Sequence, residues 1–258
     1  MRLMKRILSA AAVLALSASL LVGCSSGTAS SVPVSASSAA ESTVSSVEET
    51  ASSAVDENEA AAAQLLNDLT GSYQELWPVI LADEYQQTWL DDCTALVGEE
   101  NAEAAFEKLS SMVTGDVYGE NAVKAYANGG GAYFCGFTNG LVTLTFDGET
   151  STISGTDKDG NVLFSHTYHY IGMEPVRGLY EFESDDADSG EFTYFFLAPD
   201  TSAETYHIEF RYGSDAEALS QYDAGEYAYW LASGISTDCD QTMIDNCIEL
   251  FCTENLAG

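Results

Sequence analysis

The stretch Thr205–Gly213 alternates without a break: Tyr206, Ile208, Phe210 and Tyr212 fall on one side, Thr205, His207, Glu209 and Arg211 on the other. A period of two, rich in aromatic and β-branched types, predicts a half-buried antiparallel strand that Gly213 ends. Its polar side sets the His207 imidazole one pleat from the Glu209 carboxylate, about 7 Å along the strand. Six more segments read as strands: Ala132–Phe137, Leu141–Phe146, Thr150–Gly155, Val162–Ile171, Gly178–Glu183 and Phe192–Ala198. Between them lie turn sequences such as Thr138-Asn139-Gly140, Asp147-Gly148 and Asp157-Lys158-Asp159-Gly160, with a longer acidic one over Asp185–Gly190. Short strands joined by Asx-Gly turns predict an antiparallel barrel or sandwich.

A different period governs the chain before residue 128. Leu65, Leu66, Leu69, Tyr73, Leu76, Trp77, Ile80 and Leu81 recur at three and four, which predicts helix, with Pro78 starting a new turn or kinking the segment. Trp89, Leu90, Cys93 and Leu96 continue the apolar face to Gly98. A second helix is expected over about Glu100–Val113, a third over Glu120–Ala127, and Asn128-Gly129-Gly130-Gly131 closes the helical part. At the other end, Ser214–Tyr222 reads as a short helix and Thr237–Glu254 as an amphipathic one. The class expected is therefore α+β, with helices flanking an antiparallel sheet on both sides in sequence.

The N-terminus changes the picture of where this fold works. Arg2, Lys5 and Arg6 precede an apolar run, Ile7 to Val22, and Leu21-Val22-Gly23-Cys24 has lipobox spacing. Residues 1–23 are expected to be a lipoprotein signal peptide and Cys24 the lipidated residue, since a plain signal peptide needs no cysteine at its end. Residues 24–60 form a linker of Ser, Ala, Thr, Val and Glu without an aromatic residue, too poor in apolar surface to offset its ordering entropy. As a flexible coil it reaches about 30–35 Å, enough to hold the domain at 61–258 clear of a bacterial membrane on the extracytoplasmic side. Within that domain, 61–128 is the helical part and 132–258 the barrel with its C-terminal helices.

Three of the eight basic residues lie in the signal peptide, so five face all 41 acidic ones. That balance excludes nucleic acid and anionic lipid surfaces as partners and is ordinary for solubility outside a cell. The five cysteines of the domain, Cys93, Cys135, Cys239, Cys247 and Cys252, are odd in number and lack zinc-knuckle spacing. They are expected mostly as small buried hydrophobes, with a link from Cys93 or Cys135 to the last helix left open. No phosphate loop, nucleophile elbow or Cys/His pair is present, so no enzymatic activity is expected. The aspartate-rich turns fail the calcium-loop spacing and read as hairpin turns. Of the three histidines, His166 and His169 are three apart on one strand and must leave it on opposite faces. His207 is the better metal candidate, with Glu209 as a carboxylate neighbour.

The run Val176-Arg177-Gly178-Leu179-Tyr180-Glu181-Phe182, then Asp188–Phe195, then Leu197-Ala198-Pro199, then Tyr206-His207-Ile208, resembles the ZinT domain. Leu69–Tyr73 and Trp77-Pro78 are similar to that family's entry segment, so the resemblance spans about Leu69 to Phe251. It implies a lipocalin-like (calycin) β-barrel with flanking helices, a zinc or other divalent metal as cofactor, and zinc-uptake machinery as partner. The family's three zinc-ligating histidines fall on Phe195, Thr205 and His207, so two of the three are replaced. Any zinc site is then expected to centre on His207, to recruit His166, His169 or Glu209, and to be weak for want of ligands. The alternative is a metal-free calycin module that binds a small organic ligand or a partner protein.

Overall fold

Residues 57–129, 131–199 and 207–257 are described by a computed structural model. The expected signal peptide, Cys24, the expected linker to residue 56, Thr205 and Tyr206 lie outside the described residues.

The described chain begins with a helix over residues 57–68 (α1), which starts within the stretch assigned to the linker. The next strands and helices are β1 (Gly71–Glu75), α2 (Leu76–Ile80), α3 (Gln86–Val97), α4 (Glu99–Met112) and α5 (Glu120–Ala127). Five antiparallel strands follow: β2 (Thr143–Asp147), β3 (Thr152–Thr156), β4 (Val162–Met173), β5 (Tyr180–Ser184) and β6 (Tyr194–Leu197). β7 (His207–Gly213), α6 (Ala216–Leu219), β8 (Ala232–Ser236) and α7 (Gln241–Leu256) complete the order. Each strand pairs with its neighbours in sequence order and β8 pairs back to β1, which closes an eight-stranded antiparallel barrel. Of the barrel and the sandwich that the turn spacing left open, the barrel with flanking helices that the family resemblance implies is the observed fold.

Two of the eight strands are absent from the sequence reading. The continuous helix expected through Leu65–Leu81 is interrupted, because Gly71–Glu75 is extended and pairs Tyr73 with Leu144 on one side and Ser236 on the other. Leu69 and Tyr73 do share a buried side, but as the end of a helix and the middle of a strand, an agreement of period that hid the change of structure. β8 was missed because it has no alternation: Ala232 joins the barrel interior while Ile235 joins the helical layer, and both sides are buried. These two strands are the pair that closes the barrel. Conversely, Ala132–Phe137 is not a strand; it makes isolated bridges through Phe134 to Thr114 and Trp230.

The expected turns form where the Asx residues dictate. Asp157 accepts from the amides of Asp159 and Asn161, both at 2.9 Å, and Gly160 takes φ +80°. Asp240 caps α7 by accepting from the Met243 amide at 3.0 Å.

Two apolar clusters result. One fills the barrel with Phe146, Phe164, Phe182, Phe195, Phe210, Tyr212 and Trp230 among others. The second lies between the barrel wall and α2, α3, α4 and α7, and includes Trp77, Trp89, Cys93, Cys247 and Cys252. Trp89 anchors it by donating its indole N–H to the Ile80 carbonyl at 2.7 Å. Among the described residues no helix is long and apolar enough to cross a membrane.

Candidate functional site

β7 carries the strongest sequence signal, and its two sides meet different surroundings. Ile208, Phe210 and Tyr212 point into the barrel and are at most 1% exposed, as the alternation predicts. The opposite side, expected to be a solvated polar face, is roofed. Arg211 is fully buried; its guanidinium donates to the carbonyls of Leu219, Gln221 and Tyr227 and stacks 4.3 Å from the Tyr222 ring centre. His207 and Glu209 are half-buried under α2 and α7, where they border a cavity of about 30 Å³ together with Cys247 and Glu254. The polar side of the strand is thus an inner layer, because the chain after it folds back over it.

The other two histidines are held elsewhere. His166 lies on the inward side of β4 beside Phe164, and its Nδ1 is 2.7 Å from Asp186 Oδ2. His169 leaves the opposite side, as spacing requires, with Nδ1 2.7 Å from Asp185 Oδ1. Both pairs use the acidic turn after β5, so that turn is a partner for histidines as well as a hairpin connection. The structure does not bring His166 or His169 to His207. Phe195, one of the positions matched to a family ligand, is fully buried inside the barrel, whereas His207 sits outside its wall. Those two positions cannot face one ion here. Among the described residues, no three His, Cys, Asp or Glu side chains gather closely enough to hold a metal.

The five cysteines among the described residues are unbridged. Cys93 on α3 and Cys252 on α7 bring their sulfurs within 3.9 Å, the approach to the last helix that the sequence left open. Burial pushes the Cys135 and Cys247 thiols up to about 12, which keeps them protonated and unreactive at neutral pH.

A larger opening was not anticipated from sequence. It is a cleft of about 340 Å³ where the end of β1, α2 and the segments 113–115 and 134–136 meet. Trp77, Pro78 and Leu81 form one wall, residues 113–115 a second, and Phe134, Cys135 and Gly136 a third, with Glu75 at the end of β1. Its walls are fixed by backbone: the Tyr133 amide donates to Met112, the Gly115 amide to Tyr133, and the Ser233 amide to Cys135. Gly115 has no alternative, since a Cβ there would stand 2.2 Å from the Ala132 carbonyl oxygen. The indole N–H of Trp77, on the cleft wall, is buried and makes no hydrogen bond among the described residues. The barrel interior, by contrast, is occupied. Phe164 and Phe192 stack at 4.0 Å, and Phe195 and Tyr212 at 5.3 Å. Trp230 meets Tyr212 edge-on at 5.0 Å and donates to the Gly136 carbonyl. The signal that could have found the cleft is the glycine and aromatic run Phe134-Cys135-Gly136-Phe137, read as a strand.

No family model matches the sequence, and no curated protein matches it. Among solved structures, the chain is similar to the Zn(II)-bound ZinT-like domain of Streptococcus pneumoniae AdcA. The identity is 17%, the TM-score 0.44, and the match covers 71% of this chain and 89% of that one. Zn(II)-bound AdcA from Streptococcus pneumoniae matches at 16% identity and a TM-score of 0.40, over 75% of this chain. The match spans 35% of that longer protein.

Proposed function

We propose that this chain is a lipid-anchored extracytoplasmic binding module that takes a small organic ligand between the barrel wall and the helices, without catalysis. The observation that carries this reading is the contrast between an interior filled by aromatic side chains and a fixed cleft of about 340 Å³ beside it. That volume lies within the range of small-molecule sites, which are mostly apolar with a few placed polar groups. The lipobox at Leu21–Cys24 supports the anchor, and the acidic balance of the domain suits an extracytoplasmic surface. Protonated, buried thiols support binding over nucleophilic chemistry. Amide spectra recorded with a set of small organic fragments test the site. Hits should shift residues 113–115 and 134–137; hits that shift the inward residues of β4, β6 and β7 instead would refute it. Replacing Cys24 with Ala should release the protein to the soluble fraction, and retention of a fully matured, membrane-bound protein would refute the anchor.

A second reading is weak divalent-metal handling at His207. Its basis is that His207, Glu209 and Glu254 border one small cavity with Cys247, though among the described residues no three such side chains close to metal-holding distance. A single imidazole with carboxylates is a poorer zinc set than three imidazoles. Zinc calorimetry on the wild type and His207→Ala decides it: saturable one-to-one binding lost in the variant supports metal handling, and binding indifferent to His207 removes this reading.

A further inference from the structure

The cleft contains one formal charge, and it is negative. Glu75 is half-buried, and its Oε1 accepts a 2.6 Å hydrogen bond from the Phe137 amide. A carboxylate has lone pairs for further donors. Among the described residues no Lys, Arg or His forms an ion pair with it. Around it the walls are apolar, with two aromatic rings, Trp77 and Phe134, and two aliphatic chains, Leu81 and Val113. Gly136 keeps acid and ring together: a Cβ there would stand 2.9 Å from Glu75 Oε1 and 3.0 Å from Phe134 Cζ. The carboxylate and the ring therefore both pack directly against Gly136, where even a methyl group would clash with them.

An anion among apolar walls is best satisfied by a partner that brings a positive charge and an apolar body at once. A hydrated inorganic cation answers the charge and leaves the rings wet. A neutral organic molecule covers the rings and leaves the carboxylate without a counter-charge. An organic ammonium does both, through a charge-assisted N–H···O bond and contact of the cation or its carbon frame with the rings. We propose that the cleft is a site for small organic cations, amines with an apolar body, and that Glu75 is their anchor. This rests on the cleft reading above. The acidity of the whole domain attracts any cation diffusely; Glu75 fixes where an amine stops.

Three probes of similar size separate these contributions: 2-phenylethylammonium, neutral 2-phenylethanol and anionic 3-phenylpropionate. Each is titrated by NMR into the full chain, Glu75→Gln and Gly136→Ala at neutral pH and physiological salt. Glutamine keeps an oxygen for the Phe137 amide, and the melting temperature checks the fold of each variant. The ammonium should bind one-to-one about tenfold more tightly than the alcohol, the difference of one charge-assisted contact. Glu75→Gln should erase that preference and leave the alcohol's binding in place, while Gly136→Ala should weaken both by pushing the carboxylate and the Phe134 ring out of place. A preference that survives Glu75→Gln would be the diffuse field and would overturn the assignment. Equal binding of ammonium and alcohol would overturn the cation class while leaving the cleft standing. Absence of ammonium binding, or binding unchanged by Gly136→Ala, would overturn the site itself.

Discussion

The barrel interior and the layer between its wall and the helices draw on the same strand and reach opposite outcomes. From β7, Ile208, Phe210 and Tyr212 go inward to a column of stacked rings that fills the space where a lipocalin-like barrel would hold a ligand. His207, Glu209 and Arg211 go outward and are then covered by α2, α7 and the segment after α6. The interior is saturated with apolar contacts. The outer layer mixes carboxylates, thiols, an imidazole and a guanidinium, and keeps an open cleft. In a small barrel packed with aromatics, the room that remains lies beside the filled interior, next to α2.

The comparison breaks most visibly if the interior is damaged. Phe210→Ala should destabilise by about 3–5 kcal/mol, because a fully buried ring in a stacked column leaves a cavity that cannot collapse. Denaturant unfolding measures it; a loss below about 1 kcal/mol would mean the interior is loose enough to bind something. Arg211→Met tests the roofed side next. It strips donors from the carbonyls of Leu219 and Tyr227 and should cost about 2–3 kcal/mol, less than the ring because the methionine stem still fills the volume. An unchanged stability would show that the guanidinium is not what holds residues 219–227 down.

A smaller effect comes from pH. Burial holds Cys135, Cys247 and Tyr222 at about 12, against ordinary values of 9.0 for the thiols and 10.0 for the phenol. Above those ordinary values the unfolded chain loses protons that the folded chain keeps. The stabilisation is complete below pH 9 and is lost as pH rises towards 12, so the melting temperature should fall across that window. A flat profile would place these groups in contact with water. The least effect belongs to the outlying histidines. His169→Ala removes an exposed pair with Asp185 and should change stability by no more than about 1 kcal/mol.

Much of this was legible in the sequence where one side of an element meets water or where a turn has its own chemistry. Six strands, the Asx turns, α3 to α5 and α7 all follow from period and punctuation. What was hidden has more than one physical cause. β8 and the polar side of β7 are covered, so they lack the contrast between wet and dry that patterning depends on. Tyr73 continued a helical period by coincidence of spacing, and Ala232-Ser233-Gly234 gave no period at all. Gly234 is small because a Cβ there would press to 3.1 Å on Ile208. The cleft was invisible for a related reason, since Glu75, Trp77, Val113 and Phe134 come from separated segments that only barrel closure assembles.

Xenon distinguishes the two regions most directly, because it enters apolar cavities that have room and stays out of packed ones. In crystals of the protein under xenon pressure, the gas should settle in the cleft beside Trp77, Leu81 and Phe134, with none among the rings of the interior. Xenon density between Phe164, Phe195 and Tyr212 would contradict the filled interior and return the ligand site to the inside of the barrel.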